Sequence, residues 1–315
     1  MLAVTSAGGS IHVEDRDIPV GEGELIEITS TSICGSDLHM VSMGISGVVL
    51  GHEFGGRTAD GRMVAVRPTG QCGTCPSCRS RHVQTCAEAG RSLTGLSNDG
   101  GLARYALVER SRLYDVPPTI DPADICLVEP TAVVVHGIHR ARAVPGSRAL
   151  VVGAGSIGLL AGAVLRRSGV HVDIIARHRH QQEAAEKLGL QVVNDAVGIY
   201  DTTFDAVCTQ GSFDACVGAT RPGGRLLEFG MFWTPVTLDN NVMMKEIDII
   251  PSIFYGHDEI QDDFQVAIDF LADNRHVVDA LVTHTFSLAD APEAFETARD
   301  KSSGAIKVRF TPDHE

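Results

Sequence analysis

Residues 149–158 read Ala149-Leu-Val-Val-Gly153-Ala-Gly155-Ser-Ile-Gly158. The first four are apolar and bounded by glycine, as in a short strand buried on both faces. Ile157 to Arg167 then follows a helical pattern. Between the two lies the spacing G-x-G-x-x-G. Glycines there permit a tight turn and close backbone approach, and the helix N-terminus faces a pyrophosphate. Gly153, Gly155, Ser156, Ile157 and Gly158 are the candidate dinucleotide-binding residues. Outward from this loop, strand and helix alternate. Val172-Asp-Ile-Ile, Phe204-Asp-Ala-Val-Cys and Gly224-Arg-Leu-Leu-Glu-Phe-Gly read as strands, and Gln181 to Leu188 as a helix. That alternation implies a doubly wound α/β domain with a parallel sheet, assigned to 134–256.

The second strand decides which dinucleotide fits. It ends Ile174-Ile175-Ala176-Arg177-His178-Arg179. An NAD site usually carries Asp or Glu there, to hold the ribose 2′-hydroxyl. Here two guanidiniums stand instead, and a 2′-phosphate suits them. Arg177 and Arg179 therefore favour NADP(H) over NAD(H). Asp173 lies inside the strand rather than at its end.

Residues 1–130 have a different texture, with short alternating segments and frequent turn signals. Glu24-Leu-Ile-Glu-Ile-Thr and Gly61-Arg-Met-Val-Ala-Val-Arg read as strands of an irregular β domain. Within it, Cys72, Cys75, Cys78 and Cys86 follow the spacing Cys-x2-Cys-x2-Cys-x7-Cys. Four thiolates so close can wrap one tetrahedral Zn²⁺ and leave no open position, which marks a structural metal in a lobe at about 70–90. Upstream stand Cys34-Gly-Ser36-Asp-Leu-His39 and Gly51-His52-Glu53, and downstream Glu129-Pro130. One thiolate, one imidazole and one carboxylate can hold a zinc that keeps a position for substrate. Such a zinc acts as a Lewis acid on a bound alcohol or water. Cys126, Cys208 and Cys216 lie in apolar segments and read as small core residues.

The chain has 315 residues and a formal net charge of -14. That size allows two domains with their own cores. The acidic balance argues against nucleic acid and anionic membrane as partners. Residues 149–165 carry no charge but are short and broken by glycines, so they do not read as a membrane span. No basic stretch followed by an apolar core opens the chain, and eight Cys are too few for a disulfide scaffold. The expected location is cytoplasmic.

In order, these pieces run Cys-x-Ser-x-x-His, Gly-His-Glu, four-Cys lobe, Glu-Pro and G-x-G-x-x-G. The chain thereby resembles the zinc-dependent medium-chain alcohol dehydrogenase family, and within it the polyol and sorbitol dehydrogenase branch. Asp99-Gly-Gly-Leu-Ala-Arg-Tyr, Arg221-Pro-Gly-Gly-Arg, the segment from His284 to Phe295 and Ser303-Gly-Ala-Ile-Lys-Val extend the likeness over essentially the whole chain. The resemblance implies a Rossmann domain inserted in a split, mostly β GroES-like catalytic domain made of 1–133 and 257–315. It implies two Zn²⁺ per chain, one catalytic and one structural. Cys34 and His52 would be catalytic zinc ligands, with either Glu53 or Glu129 completing the set. Ser36 would accept the alcohol proton and His39 pass it towards solvent. The substrate would be a small alcohol, polyol or sugar, and the assembly a homodimer or homotetramer paired near Ile249 to Tyr255. The stretch from His39 to Gly51 is shorter than in the polyol branch, which leaves the substrate open. An NADPH-dependent aldehyde or ketone reductase of the same family is the nearest alternative. A non-catalytic NADP-binding sensor is the other; loss of ligand residues would be expected of it, yet all are present.

Overall fold

Apolar β-branched residues and glycine turns organise the inserted segment. The structure is a computed structural model that describes residues 1–196, 199–256 and 261–311. The chain divides into two compact units, Met1–Glu129 with Gly256–Glu315, and Pro130–Tyr255. The sequence placed these junctions at 133/134 and 256/257. The helix Val128–Ala141 runs through the first of them, so no turn signal marks it. Residues 257–260, where the returning segment was read to begin, lie outside the described residues.

In the unit Pro130–Tyr255 the strands form one sheet in the order Gln191–Val193, His171–Ile175, Arg148–Val152, Tyr200–Asp205, Thr220–Glu228, Asp248–Pro251. All neighbours are parallel. Counted along this unit the order is third, second, first, fourth, fifth, sixth. The chain leaves Arg148–Val152 first to one side and later to the other. Right-handed crossovers then put the connecting helices on opposite faces, which is the Rossmann arrangement. Ala149, Leu150 and Val151 are at most 1% exposed, as a central strand covered on both faces requires. The fourth strand differs from expectation. It stops at Asp205 rather than Cys208, because Asp205 Oδ1 accepts the N–H groups of Val207 at 2.8 Å and Cys208 at 2.9 Å. Those donors are thereby turned out of the ladder, and Cys208 takes φ +58.

The unit Met1–Glu129 with Gly256–Glu315 is built on a seven-stranded sheet. Its backbone order is Val282–Phe286, Lys307–Phe310, Glu24–Ser32, Glu53–Thr58, Met63–Val66, Leu113–Asp115, with Tyr105–Val108 also paired to Glu24–Ser32. The last strand of the chain thus lies antiparallel beside Glu24–Ser32, with Phe310 opposite Thr31 and Arg309 opposite Ser32. Its core joins both ends of the chain: Val4, Leu50 and Leu102 pack with Phe295, Val308 and Phe310. Among the described residues, no helix is long and apolar enough to cross a membrane.

Candidate active site and dinucleotide loop

Strand register assembles the upstream constellation. Glu24–Ser32 pairs antiparallel with Glu53–Thr58, and Ser32 sits opposite Glu53. Cys34, just past the end of one strand, is thereby brought to His52, just before the start of the other. Gly51 makes the turn into His52 with φ +92, and a Cβ there would stand 2.9 Å from the Leu102 backbone nitrogen. Only glycine fits both conditions. Ligand atoms of Cys34, His52 and Glu53 all lie within 4.8 Å of one another. Glu129 is buried in the first turn of its helix and is not part of that group.

Cys34 caps the helix Gly35–Ser42, and Asp37 in its first turn is fully buried. Asp37 Oδ2 accepts the Cys34 N–H at 2.9 Å. Its other oxygen lies 3.2 Å from His52 Nδ1, an ion-pair distance outside linear hydrogen-bond geometry. A carboxylate on Nδ1 leaves Nε2 for a metal, the second-layer arrangement that orients ligating histidines. Burial works against a charged His52, but Asp37 and then Cys34 outweigh it and raise the imidazole well above its ordinary pKa. The field that favours a proton there would favour a divalent cation equally. The donor set and its electrostatics therefore fit zinc. Ser36 Oγ lies 3.4 Å from His52 Nε2, and His39 is exposed on the same helix. Asp37→Asn is expected to weaken zinc binding at this cluster by roughly 10–100-fold, measured by chelator competition. Unchanged zinc retention would remove Asp37 from this role.

Glu53 has a partner that sequence reasoning did not find. Lys307 Nζ donates to its two oxygens at 2.7 and 2.9 Å and to the Ile33 carbonyl at 3.2 Å. Ser32 Oγ donates to the same carboxylate. The two charged side chains are 3% and 1% exposed, so this is a dry ion pair. Burial disfavours the ammonium, yet Glu53, with Cys34 behind it, holds its pKa above the ordinary lysine value. Lys307 and Glu53 are 254 positions apart, and no short motif links them. Asp37 had a faint signal, since an acid three residues after a cap residue is the capping-box spacing.

The four-Cys run folds into one cluster. The sulfurs of Cys72, Cys75, Cys78 and Cys86 lie within 4.8 Å of one another. All are free thiols, and the 3.9 Å between the Cys72 and Cys78 sulfurs is far beyond a disulfide bond. Backbone N–H groups point at the sulfurs: that of Cys75 at Cys72 Sγ, 3.3 Å, and that of Cys78 at Cys75 Sγ, 3.5 Å. Backbone donors from Thr74 and Cys75 pull the Cys72 thiol down to about 6, whereas burial pushes Cys78 up to about 12. Preformed N–H donors around thiolates suit a tetrahedral metal. The buried Arg112 anchors the base of this lobe, donating to the Ser92 carbonyl at 3.1 Å and the Pro68 carbonyl at 3.3 Å.

In the other unit, the glycine loop joins the strand Arg148–Val152 to the helix Ser156–Arg167. Gly153 has φ +100, and a Cβ on Gly158 would stand 1.8 Å from the Gly153 carbonyl oxygen. Internal packing therefore explains those two glycines. It does not explain Gly155, whose backbone is ordinary extended chain and whose Cβ would meet nothing within 4 Å. The open space beside Gly155 at the helix N-terminus leaves room for an anionic group to approach the backbone. This cradle fits a dinucleotide pyrophosphate. Ser156 and Ile157 are half-buried in the first turn. Arg177 and Arg179 are exposed beyond the end of the second strand. Arg179 pairs with Glu183 at 2.8 Å, whereas Arg177 makes no hydrogen bond or ion pair among the described residues. Asp173 is occupied inside the sheet, accepting from Tyr200 at 2.7 Å. Cys126 and Cys216 are fully buried thiols. Cys208 is buried too, but between Asp205 and Glu228 rather than among apolar groups.

Comparison with known proteins agrees with this geometry. The alcohol dehydrogenase GroES-like domain family matches residues 21–118, and the zinc-binding dehydrogenase family matches 156–273. The chain is 29% identical to L-galactonate-5-dehydrogenase of Escherichia coli (strain K12), over 90% of each chain. It is 26% identical to a sorbitol dehydrogenase of Bombyx mori, over 97% of each. A crystal structure from Sinorhizobium meliloti 1021 bound to NADP shares 25% identity and a TM-score of 0.88, with 99% of both chains covered. With both family matches in the expected order, relatives over nearly its full length, and the four-Cys cluster and the Cys34, His52 and Glu53 group both present, the chain belongs to the zinc-type medium-chain alcohol dehydrogenases, in their polyol dehydrogenase branch.

Proposed function

We propose that the chain is a cytoplasmic, zinc-dependent dehydrogenase that moves a hydride between a secondary alcohol, polyol or sugar and NADP(H). The observation that carries this reading is the meeting of Cys34, His52 and Glu53 donors beside the Ser36 hydroxyl. Cys34 and His52, with Glu53 or Glu129, would hold the catalytic zinc, and Cys72, Cys75, Cys78 and Cys86 a structural one. When bound, the catalytic zinc supplies the Lewis acidity that lets a hydroxyl ionise at neutral pH. Ser36 Oγ takes the hydroxyl proton, since it sits against the cluster and can rotate to accept or donate. His39, one helical turn further on and exposed, passes that proton to solvent. Only after the proton has left can the carbon release hydride to a nicotinamide. The same residues serve the reverse reduction with NADPH.

Relatives that act on a sugar acid and on sorbitol support the substrate class. Arg177, with an unengaged guanidinium, supports NADP(H). Pairing between copies is supported by the edge strand Asp248–Pro251 and by nearby exposed Met243, Met244 and Ile253. The test is a turnover screen with NADP⁺ and NAD⁺ in parallel against polyols, aldoses and simple secondary alcohols. Turnover with NADP⁺ on one class is the expected result; silence across the panel in zinc-loaded protein would overturn the reading. Arg177→Ala with Arg179→Ala is expected to lower the NADP-to-NAD efficiency ratio by roughly 10-fold or more, since a charge-assisted bond to phosphate is worth about 1.5–3 kcal/mol. Arg177 should carry the larger part, because Arg179 already has Glu183. An unchanged ratio would reject the assignment.

A further inference from the structure

The unit Pro130–Tyr255 holds a third group of metal-type ligands, separate from both clusters described above. Asp205 ends the strand Tyr200–Asp205, and Glu228 ends the neighbouring Thr220–Glu228. The two are register partners, so parallel pairing sets both carboxylates at one level of the sheet's carboxyl edge. The turn after Asp205 returns Cys208 to the same spot. One carboxylate oxygen from each acid and the Cys208 sulfur lie within 4.8 Å of one another. Exposures are 0% for Asp205, 2% for Glu228 and 6% for Cys208.

Hydrogen bonding accounts for only part of this cluster. Asp205 Oδ1 is held by two backbone N–H groups, which fixes the carboxylate. Asp205 Oδ2 and both oxygens of Glu228 are buried and make no hydrogen bond of sound geometry. The Ser212 hydroxyl approaches Asp205, and the Cys208 thiol approaches Glu228, closely enough to favour the charged carboxylates slightly. Native proteins rarely leave such atoms unsatisfied. The one charge acting on Glu228 is that of Asp205, and it has the same sign. Burial first, then that repulsion, push the Glu228 carboxyl up to about 8. Two dry acids and a thiol facing inward, with no cation opposite among the described residues, form an electronegative hole. Buried charges of this kind are paired or coordinate metals. Three donors of mixed sulfur and oxygen type suit a borderline divalent ion such as zinc rather than calcium or magnesium.

We propose that Asp205, Cys208 and Glu228 form a further zinc-binding site within the nucleotide-binding unit. Binding exchanges protons for metal: the Cys208 thiol and any protonated carboxyl release H⁺ to solvent as the bonds to the ion form. The site adjoins the glycine loop, since a Cβ on Gly153 would touch Val207 of the same turn at 2.4 Å. Zinc there would tie that turn to the end of the neighbouring strand.

The test counts zinc in the full chain, after stripping with chelator and reloading against a chromophoric competitor. Wild type should take up one equivalent per chain more than Glu228→Gln, and one more than Cys208→Ser. The Gln variant removes a buried charge at nearly constant volume, so it is expected to fold. Loading of the remaining sites, read from a Cys34→Ser control and a Cys75→Ser control, should be unaffected by Glu228→Gln. As a second readout, adding zinc beyond the equivalents held by Glu228→Gln should raise the Tm of wild type and leave that of the variant unmoved. Equal zinc uptake and equal thermal response in wild type and Glu228→Gln would overturn the proposal and assign the hole to a proton shared between the two acids. That outcome would leave the dehydrogenase reading intact, because the Cys34 control reports on it separately.

Discussion

Lys307→Ala is expected to lower folding stability by roughly 3–5 kcal/mol, the usual cost of removing one member of a buried ion pair. The lost attraction is only part of this. In zinc-free protein Glu53 would keep its burial and its Ser32 hydrogen bond but lose both Lys307 contacts, leaving a carboxylate with no cation beside it. The Ile33 carbonyl would lose a donor at the same time. Urea and thermal unfolding of wild type and variant would measure the effect. The control is the double variant Lys307→Met with Glu53→Gln. It removes both charges together and should recover much of the loss, since apolar or neutral replacements of a buried pair are often tolerated. A single variant as stable as wild type would show that the pair contributes nothing, and equal losses in single and double variants would show that packing of the lysine stem dominates.

His52→Ala is expected to reduce turnover to background while leaving NADPH affinity within about a factor of two of wild type. The imidazole belongs to the donor group at the start of the strand Glu53–Thr58, whereas the glycine loop lies in the other compact unit. The substitution removes none of the groups of the glycine loop or of the Arg177-His178-Arg179 turn, so the contacts assigned to the cofactor's phosphates stay intact. Initial rates with the substrate found in the screen, together with NADPH fluorescence titration, would read both halves. Retained turnover would refute the zinc role of His52; lost cofactor binding would show that the substitution damages more than one site.

Much of this protein was legible in its residues because the relevant chemistry is local. A metal ligand pair three residues apart, a glycine loop between strand and helix, and an acid missing from a strand end are all short-range statements. Gly158 shows why: its Cβ would collide with the carbonyl of Gly153, five residues away. The Arg177-His178-Arg179 turn is similarly self-contained. Boundaries were less legible. The strand starting near Phe204 was read through to Cys208, since Val207 and Cys208 suit a strand. The Asp205 carboxylate captured their N–H groups instead.

Sequence alone specified the alternating α/β segment, the four-Cys run and the glycine loop between strand and helix, since spacing over a few residues sets each. Strand register was needed to bring Cys34 to His52 and Glu53 and leave Glu129 outside that group. Tertiary structure alone decided which groups those residues face. Lys307 meets Glu53 because the last strand of the chain returns beside Glu24–Ser32. Asp205 meets Glu228 because two parallel strands pair in one register rather than another. The physical reason is common to both: a charge acquires its partner, its burial and its proton affinity from long-range packing, and no local pattern encodes the distance at which two strands will meet.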